Sequence, residues 1–115
     1  MRKDDQVRLR HMLDAAREAI AFTQDRTRVD LETDRMLVLA LVKEIEIVGE
    51  AANQISQATR EQLTGIPWAD IVGMRHQLVH AYFDINLEIL WQTVRGDLPP
   101  LVAELEQIVR GELDR

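Results

Sequence analysis

Leu9, Met12, Leu13, Ala16, Ala19 and Ile20 recur at spacings of three and four residues. An α-helix advances about 100° per residue, so these positions form one apolar stripe, with Arg8, Arg10, Arg17 and Glu18 mostly outward. No period-two alternation lasts long enough along the chain to predict a strand. The expected fold is therefore all-α: an up-down bundle of four main helices plus a short fifth piece, in a single domain over residues 1–115.

The first helix is expected over about Asp5 to Gln24, followed by a polar connection, Asp25 to Arg28. Asp30 is placed to cap a second helix running to about Ser56, with Glu32 and Asp34 in its first turn. That helix would hold ~27 residues and span ~40 Å at 1.5 Å per residue. Its run Met36–Val42 is apolar on all sides, which predicts burial on more than one face. Gly49 costs about 1 kcal/mol relative to Ala inside a helix, which points to close packing there or to a polar group nearby at Glu50. Thr59 to Leu63 reads as a short helical turn stopped by Gly65. Pro67 suits the first position of a third main helix, because its missing N–H costs nothing there. This helix carries Trp68, Ile71, Val72, Leu78 and Val79 and is expected to end near Phe83. Asp84-Ile85-Asn86 reads as a turn with Asn86 as a cap. A last helical region starts at Leu87, is interrupted at Asp97-Leu98-Pro99-Pro100, and resumes to about Leu113. Trp68 and Trp91 are expected as core anchors, and Lys43, Glu44 and Glu46 as an ordinary charged helix face.

Composition narrows the function classes. The chain has no cysteine, which excludes disulfides and thiolate metal sites and suits a reducing cytosol. Met1-Arg2-Lys3-Asp4-Asp5 leads into no apolar stretch of signal-peptide kind, and the seven-residue run Met36–Val42 is too short to span a bilayer, so no membrane association is expected. The net charge of −6 opposes indiscriminate nucleic-acid binding. Residues 1–28 nevertheless hold seven Lys/Arg against five Asp/Glu, whereas residues 29–64 and 65–115 each carry a net −4. Any contact with RNA would be local, with the first helix as its basic contributor, and the acidic remainder suits a basic protein partner.

One stretch concentrates chemistry: Met74-Arg75-His76-Gln77-Leu78-Val79-His80-Ala81-Tyr82-Phe83, which holds two of three histidines and the one tyrosine. Arg grips phosphate through a planar fork of donors, and His titrates nearest neutrality. Together they can bind or cleave a phosphodiester without a metal. On one straight helix Arg75 and Tyr82 would share a face, as would His76 and His80, while Arg75 and His80 would stand about 140° apart. A two-fold dimer would bring two sets into one cleft. Blander readings stay open: Arg75 as a solvated charge, Tyr82 as core with a satisfied hydroxyl, and His76/His80 as an i, i+4 metal pair. The last lacks a Glu after His76, any cysteine, and a nearby third histidine, so no metal and no cofactor is expected.

Arg75 to Tyr82 reads R-x-x-x-x-H-x-Y, preceded by Ile66-Pro67-Trp68, Ile71-Val72-Gly73-Met74 and, earlier, Ile47-Val48-Gly49-Glu50-Ala51-Ala52. Phe83-Asp84-Ile85, Trp91 and Asp97-Leu98-Pro99 follow. This series, over roughly residues 5–110, resembles the HepT branch of the HEPN superfamily, ribonuclease toxins encoded beside a minimal nucleotidyltransferase antitoxin. The resemblance implies an all-helical bundle, a homodimer, and a metal-independent endoribonuclease cleft at the dimer interface. It implies Arg75 and His80 as the catalytic pair, with His76 and Glu50 as auxiliary site residues. It also implies Tyr82 as the position that the nucleotidyltransferase antitoxin AMPylates to silence the toxin, within a toxin–antitoxin system of type II or VII kind. The expected substrate is RNA; no DNA partner is expected. Relatives commonly carry Asn directly after the Arg where this chain has His76, which either replaces it, adds an acid–base group, or weakens activity. The alternatives are a non-catalytic interaction or nucleotide-binding module that partners a nucleotidyltransferase, and a plain dimeric scaffold.

Overall fold

The computed structural model describes residues 1–81 and 84–113, with the side chains of His80, Ala81 and Leu113 left aside. Helix α1, Lys3–Phe22, is followed by a turn in which Asp25 takes a positive φ of 59°, and by the single helical turn α2, Asp30–Thr33. Then come α3, Arg35–Gln54, the short α4, Gln57–Gln62, and α5, Trp68–Leu78. Two short strands, β1 at Val79–Ala81 and β2 at Asp84–Ile85, pair antiparallel. Helix α6, Leu87–Gln92, runs through a π-helical turn, Thr93–Asp97, into α7, Leu98–Leu113. Helices α1, α3, α5 and α7 are the four main pieces of the expected bundle, and the described residues add three short helices, α2, α4 and α6, where one short piece was expected; α3 lies centrally, against α1 on one side and α5 on the other, and α7 covers α1.

The stripe on α1 is buried as its spacing predicts: Leu9, Met12, Leu13, Ala16 and Ala19 pack against Val38, Leu41, Ile45 and Val48 of α3. The start of α1 is fixed by a latch. Asp5 is buried and accepts from the Ser56 backbone N–H (3.0 Å), Ser56 Oγ (2.6 Å) and Thr59 Oγ1 (2.7 Å). Burial alone pushes this carboxyl up; the three hydrogen bonds, with the charge of Arg2, outweigh it and hold its pKa down at about 2. Ser56 also caps α4 by accepting from Thr59 N–H.

Several expectations are corrected. The second helix is broken at Asp34, whose side chain accepts from Leu37 N–H and pairs with Arg26 at 3.0 Å. Asp34 is thus the cap, and Asp30 accepts instead from Thr27 N–H to close the preceding turn. The apolar run is not buried all round: Leu37, Val38 and Leu41 are, but Met36 is 83% exposed and Leu39 50%. Glu44 is no surface charge. It is 6% exposed between α3 and α1, its Oε2 has no partner among the described residues, and burial, followed by the hydrogen bond and charge of Glu18, pushes its pKa up to about 7. Trp68 and Trp91 are half-buried; Trp68 donates from Nε1 to Leu63 O at 3.0 Å, and Arg60 and Arg95 lie over the two rings.

The third main helix stops at Leu78, not near Phe83. Val79 is extended (φ −113°, ψ 104°), and Leu78 O accepts from Asn86 N–H at 2.7 Å, which turns the chain away from the helix axis. Asn86 caps α6, as expected, by accepting from Ile89 N–H. The prolines do not interrupt the last helix. Pro99 and Pro100 sit in the first turn of α7, and the irregularity lies one step earlier, in the π-helical turn.

Candidate functional site

At Gly49, α3 lies against the backbone of α5. A Cβ built there would lie 3.4 Å from Ile71 O and 3.5 Å from Val72 O, at ordinary contact distance from the backbone of α5. The close packing expected at this glycine is present. Beside the contact lies a cavity of about 280 Å³. From α3 come Glu46, Glu50 and Asn53, spaced at four and three residues on one face; from α5 come Val72, Arg75 and His76.

Three of the sequence-predicted site residues, Arg75, His76 and Glu50, therefore meet in one place. Arg75 is at the C-terminal end of α5 and its side chain is 47% exposed. Its Nε lies 3.5 Å from Glu46 Oε2, a carboxylate itself 36% exposed. A guanidinium held through Nε keeps its two terminal nitrogens available to an oxyanion, the edge that forms bidentate bonds with phosphate.

His80 belongs to β1 by its backbone, and its side chain lies outside the described residues, as does Tyr82. The angular relations expected for Arg75, His80 and Tyr82 on a single helix do not carry past Leu78, and neither does the i, i+4 geometry for His76 and His80. Among the described residues no three of His, Asp and Glu converge as a metal site would require.

Sequence reasoning missed Glu46 and Asn53. Their signal was the polar set Glu46, Gly49, Glu50, Asn53, an i, i+3, i+4, i+7 pattern on the opposite side of α3 from its buried stripe. The local setting of Asn53 is secured by Arg60, which donates to Ala52 O and Asn53 O (both 2.9 Å) and to Ile55 O, closing the orphan carbonyls at the end of α3. No helix among the described residues is long and apolar enough to cross a membrane.

Comparison with known proteins gives a consistent match. The family described as HepT-like, ribonuclease HepT-like, aligns with residues 12–108. A Methanocaldococcus jannaschii protein named "gamma-glutamylcyclotransferase and putative RNase" is 36% identical over 115 residues, which is 100% of this chain and 51% of that protein. A second protein of the same organism, named "putative RNase", is 33% identical over 105 residues, 91% of this chain and 96% of that one. A Thermococcus cleftensis protein named "probable ribonuclease HepT" is 34% identical over 95 residues, 79% and 86% of the two chains. This chain thus spans about half the length of the first of these relatives and most of the other two. No solved structure matches.

Proposed function

The chain belongs to the HepT-like ribonuclease family, and on that premise we propose that it is an endoribonuclease using Arg75 and His80, without a metal, in a cleft between two copies. The observation that supports this most is Arg75, half-exposed and lining the cavity between α3 and α5 together with His76, Glu50 and Asn53. In the proposed reaction the ribose 2′-OH attacks phosphorus and the bond to the 5′-oxygen breaks, leaving a 2′,3′-cyclic phosphate. His80 takes the 2′-OH proton, and the second copy's imidazole returns one to the leaving oxygen. Arg75 stabilises the charge that builds on the phosphoryl oxygens.

One observation favours a homodimer: Met36 and Leu39 are exposed on the face of α3 that continues, at helical spacing, to Lys43, Glu46 and Glu50. We further propose that a minimal nucleotidyltransferase antitoxin silences this site by AMPylating Tyr82. A phosphodiester there would add negative charge that repels RNA.

Incubation of the protein with RNA in EDTA tests the chemistry: fragments ending in a 2′,3′-cyclic phosphate are expected, and loss of cleavage in EDTA would overturn the metal-free mechanism. Intact-mass analysis after coexpression with a nucleotidyltransferase tests the switch, with one or more AMP additions expected and their loss in Tyr82→Phe. The second reading, a non-catalytic nucleotide-binding or interaction module, is favoured by the hold of Glu46 on Arg75. It predicts nucleotide binding with no RNA cleavage.

A further inference from the structure

Helix α5 has a second working face. Where Val72, Arg75 and His76 turn towards α3, residues Asp70, Ile71, Met74 and Gln77 line a separate groove of about 560 Å³ between α5 and the start of α7. Its floor is apolar and buried: Ile66, Ile71, Met74 and Leu101. Pro67 and Pro100 extend this apolar surface to the lips.

The rim carries one sign of charge. Asp70, Asp97 and Glu104 border the groove, and among the described residues no Lys, Arg or His lines it. None of the three carboxylates has an ion-pair or hydrogen-bond partner among the described residues. Asp70, in the first turn of α5, also complements that helix's dipole. That explanation does not extend to Glu104, well inside α7, whose carboxylate lies against the Cα of Gly65 on the far lip. The π-helical turn contributes too: it ends at Asp97 and brings Gly96 to the groove, where a Cβ would meet nothing within 4 Å. Such turns are rare and concentrate at functional sites.

The geometry points to this groove as a docking site for a protein segment that inserts an apolar side chain between Met74 and Leu101 and sets Lys or Arg against Asp70, Asp97 and Glu104. Nucleic acid is disfavoured by the same carboxylates. The volume fits one or two large side chains with room for their flanking backbone. An occupant would touch the helix that presents Arg75 on its other face, so it would brace the candidate site without entering it.

The test uses the ¹⁵N-labelled chain and three probe peptides of equal length: an amphipathic Leu/Lys helix, its Leu/Glu counterpart, and a Gly/Lys peptide without apolar residues. The Leu/Lys peptide is expected to shift the amides of Asp70, Gln77, Gly96 and Glu104 and the other two to leave them unchanged. Exchanging the rim for Asp70→Asn, Asp97→Asn and Glu104→Gln is expected to weaken binding roughly tenfold. Gly96→Phe keeps every charge, meets no clash at Cβ, and is expected to abolish binding by filling the groove. Equal binding by the Leu/Glu or Gly/Lys peptide overturns the proposal. So does unchanged binding in Gly96→Phe, or shifts confined to another surface.

Discussion

Arg75 Nε and Glu46 Oε2 lie 3.5 Å apart across the cavity between α5 and α3, so the group proposed to meet phosphate is already held by a carboxylate. Both side chains are more than a third exposed, and exposed pairs contribute little, about 0–1 kcal/mol. Incoming phosphate must compete with Glu46 but is not blocked by it. Glu46→Gln is therefore expected to lower KM for RNA by roughly two- to fivefold, an effect that fades at high salt, with kcat unchanged. Steady-state kinetics at two salt concentrations check this; a large fall in kcat would place Glu46 in the chemistry itself.

Glu44 gives a pH signature. Its folded pKa, raised to about 7, exceeds the ordinary carboxylate value of 4.5, so the folded chain binds the extra proton between these two values. Stability therefore falls as pH rises from the lower value to the upper one and stays reduced above it. Glu44→Gln removes that dependence and is expected to raise stability at pH 8 by on the order of 1–3 kcal/mol, the usual cost of an unsatisfied buried group. Urea unfolding at pH 5 and pH 8 measures it, and an identical pH slope in the variant would contradict the assignment.

Asp5 has the opposite sign. Its pKa is held at about 2, below the ordinary 3.8, so its contribution is present above pH 3.8 and is lost as pH falls through the folded value. Asp5→Ala leaves Ser56 and Thr59 without their shared acceptor and is expected to cost roughly 2–4 kcal/mol. Thermal unfolding at neutral pH should show it; a change within error would mean that water replaces the latch freely.

The face carrying Met36 and Leu39 bears on the assembly. Met36→Glu with Leu39→Glu is expected to leave the monomer's fold intact, because neither side chain is buried, and to shift a dimer towards monomer while RNA cleavage is lost with it. Sedimentation velocity, paired with circular dichroism, separates the outcomes. A dimer unchanged by both substitutions would move the proposed interface elsewhere.

The legible parts of the sequence were those where one local rule decided the outcome. The stripe Leu9 to Ile20 could only face a core, Asn86 stood at a helix start, and Gly49 signalled backbone contact. What was hidden depended on neighbours distant in sequence. Glu44 reads like any charge on a helix until Glu18 of α1 lies beside it. Asp30 and Asp34 are chemically equal as caps, yet Asp34 accepts from Leu37 N–H and pairs with Arg26 while Asp30 accepts from Thr27 N–H. The end of α5 was missed because Leu78 and Val79 continue a helical pattern, while the bond from Asn86 N–H to Leu78 O draws the chain out of it. Met36 and Leu39 are apolar yet exposed, and composition cannot separate a buried apolar residue from an exposed one.

The most direct measurement is the single-turnover rate of RNA cleavage in EDTA for the wild type, Arg75→Ala and His80→Ala, with folding checked by circular dichroism. A catalytic Arg75/His80 pair predicts falls of roughly 10²–10³-fold for the arginine variant and 10²–10⁴-fold for the histidine variant, in chains that remain folded. Cleavage by either variant within about twofold of the wild type, well inside the smallest loss expected of a general acid–base group, would contradict it.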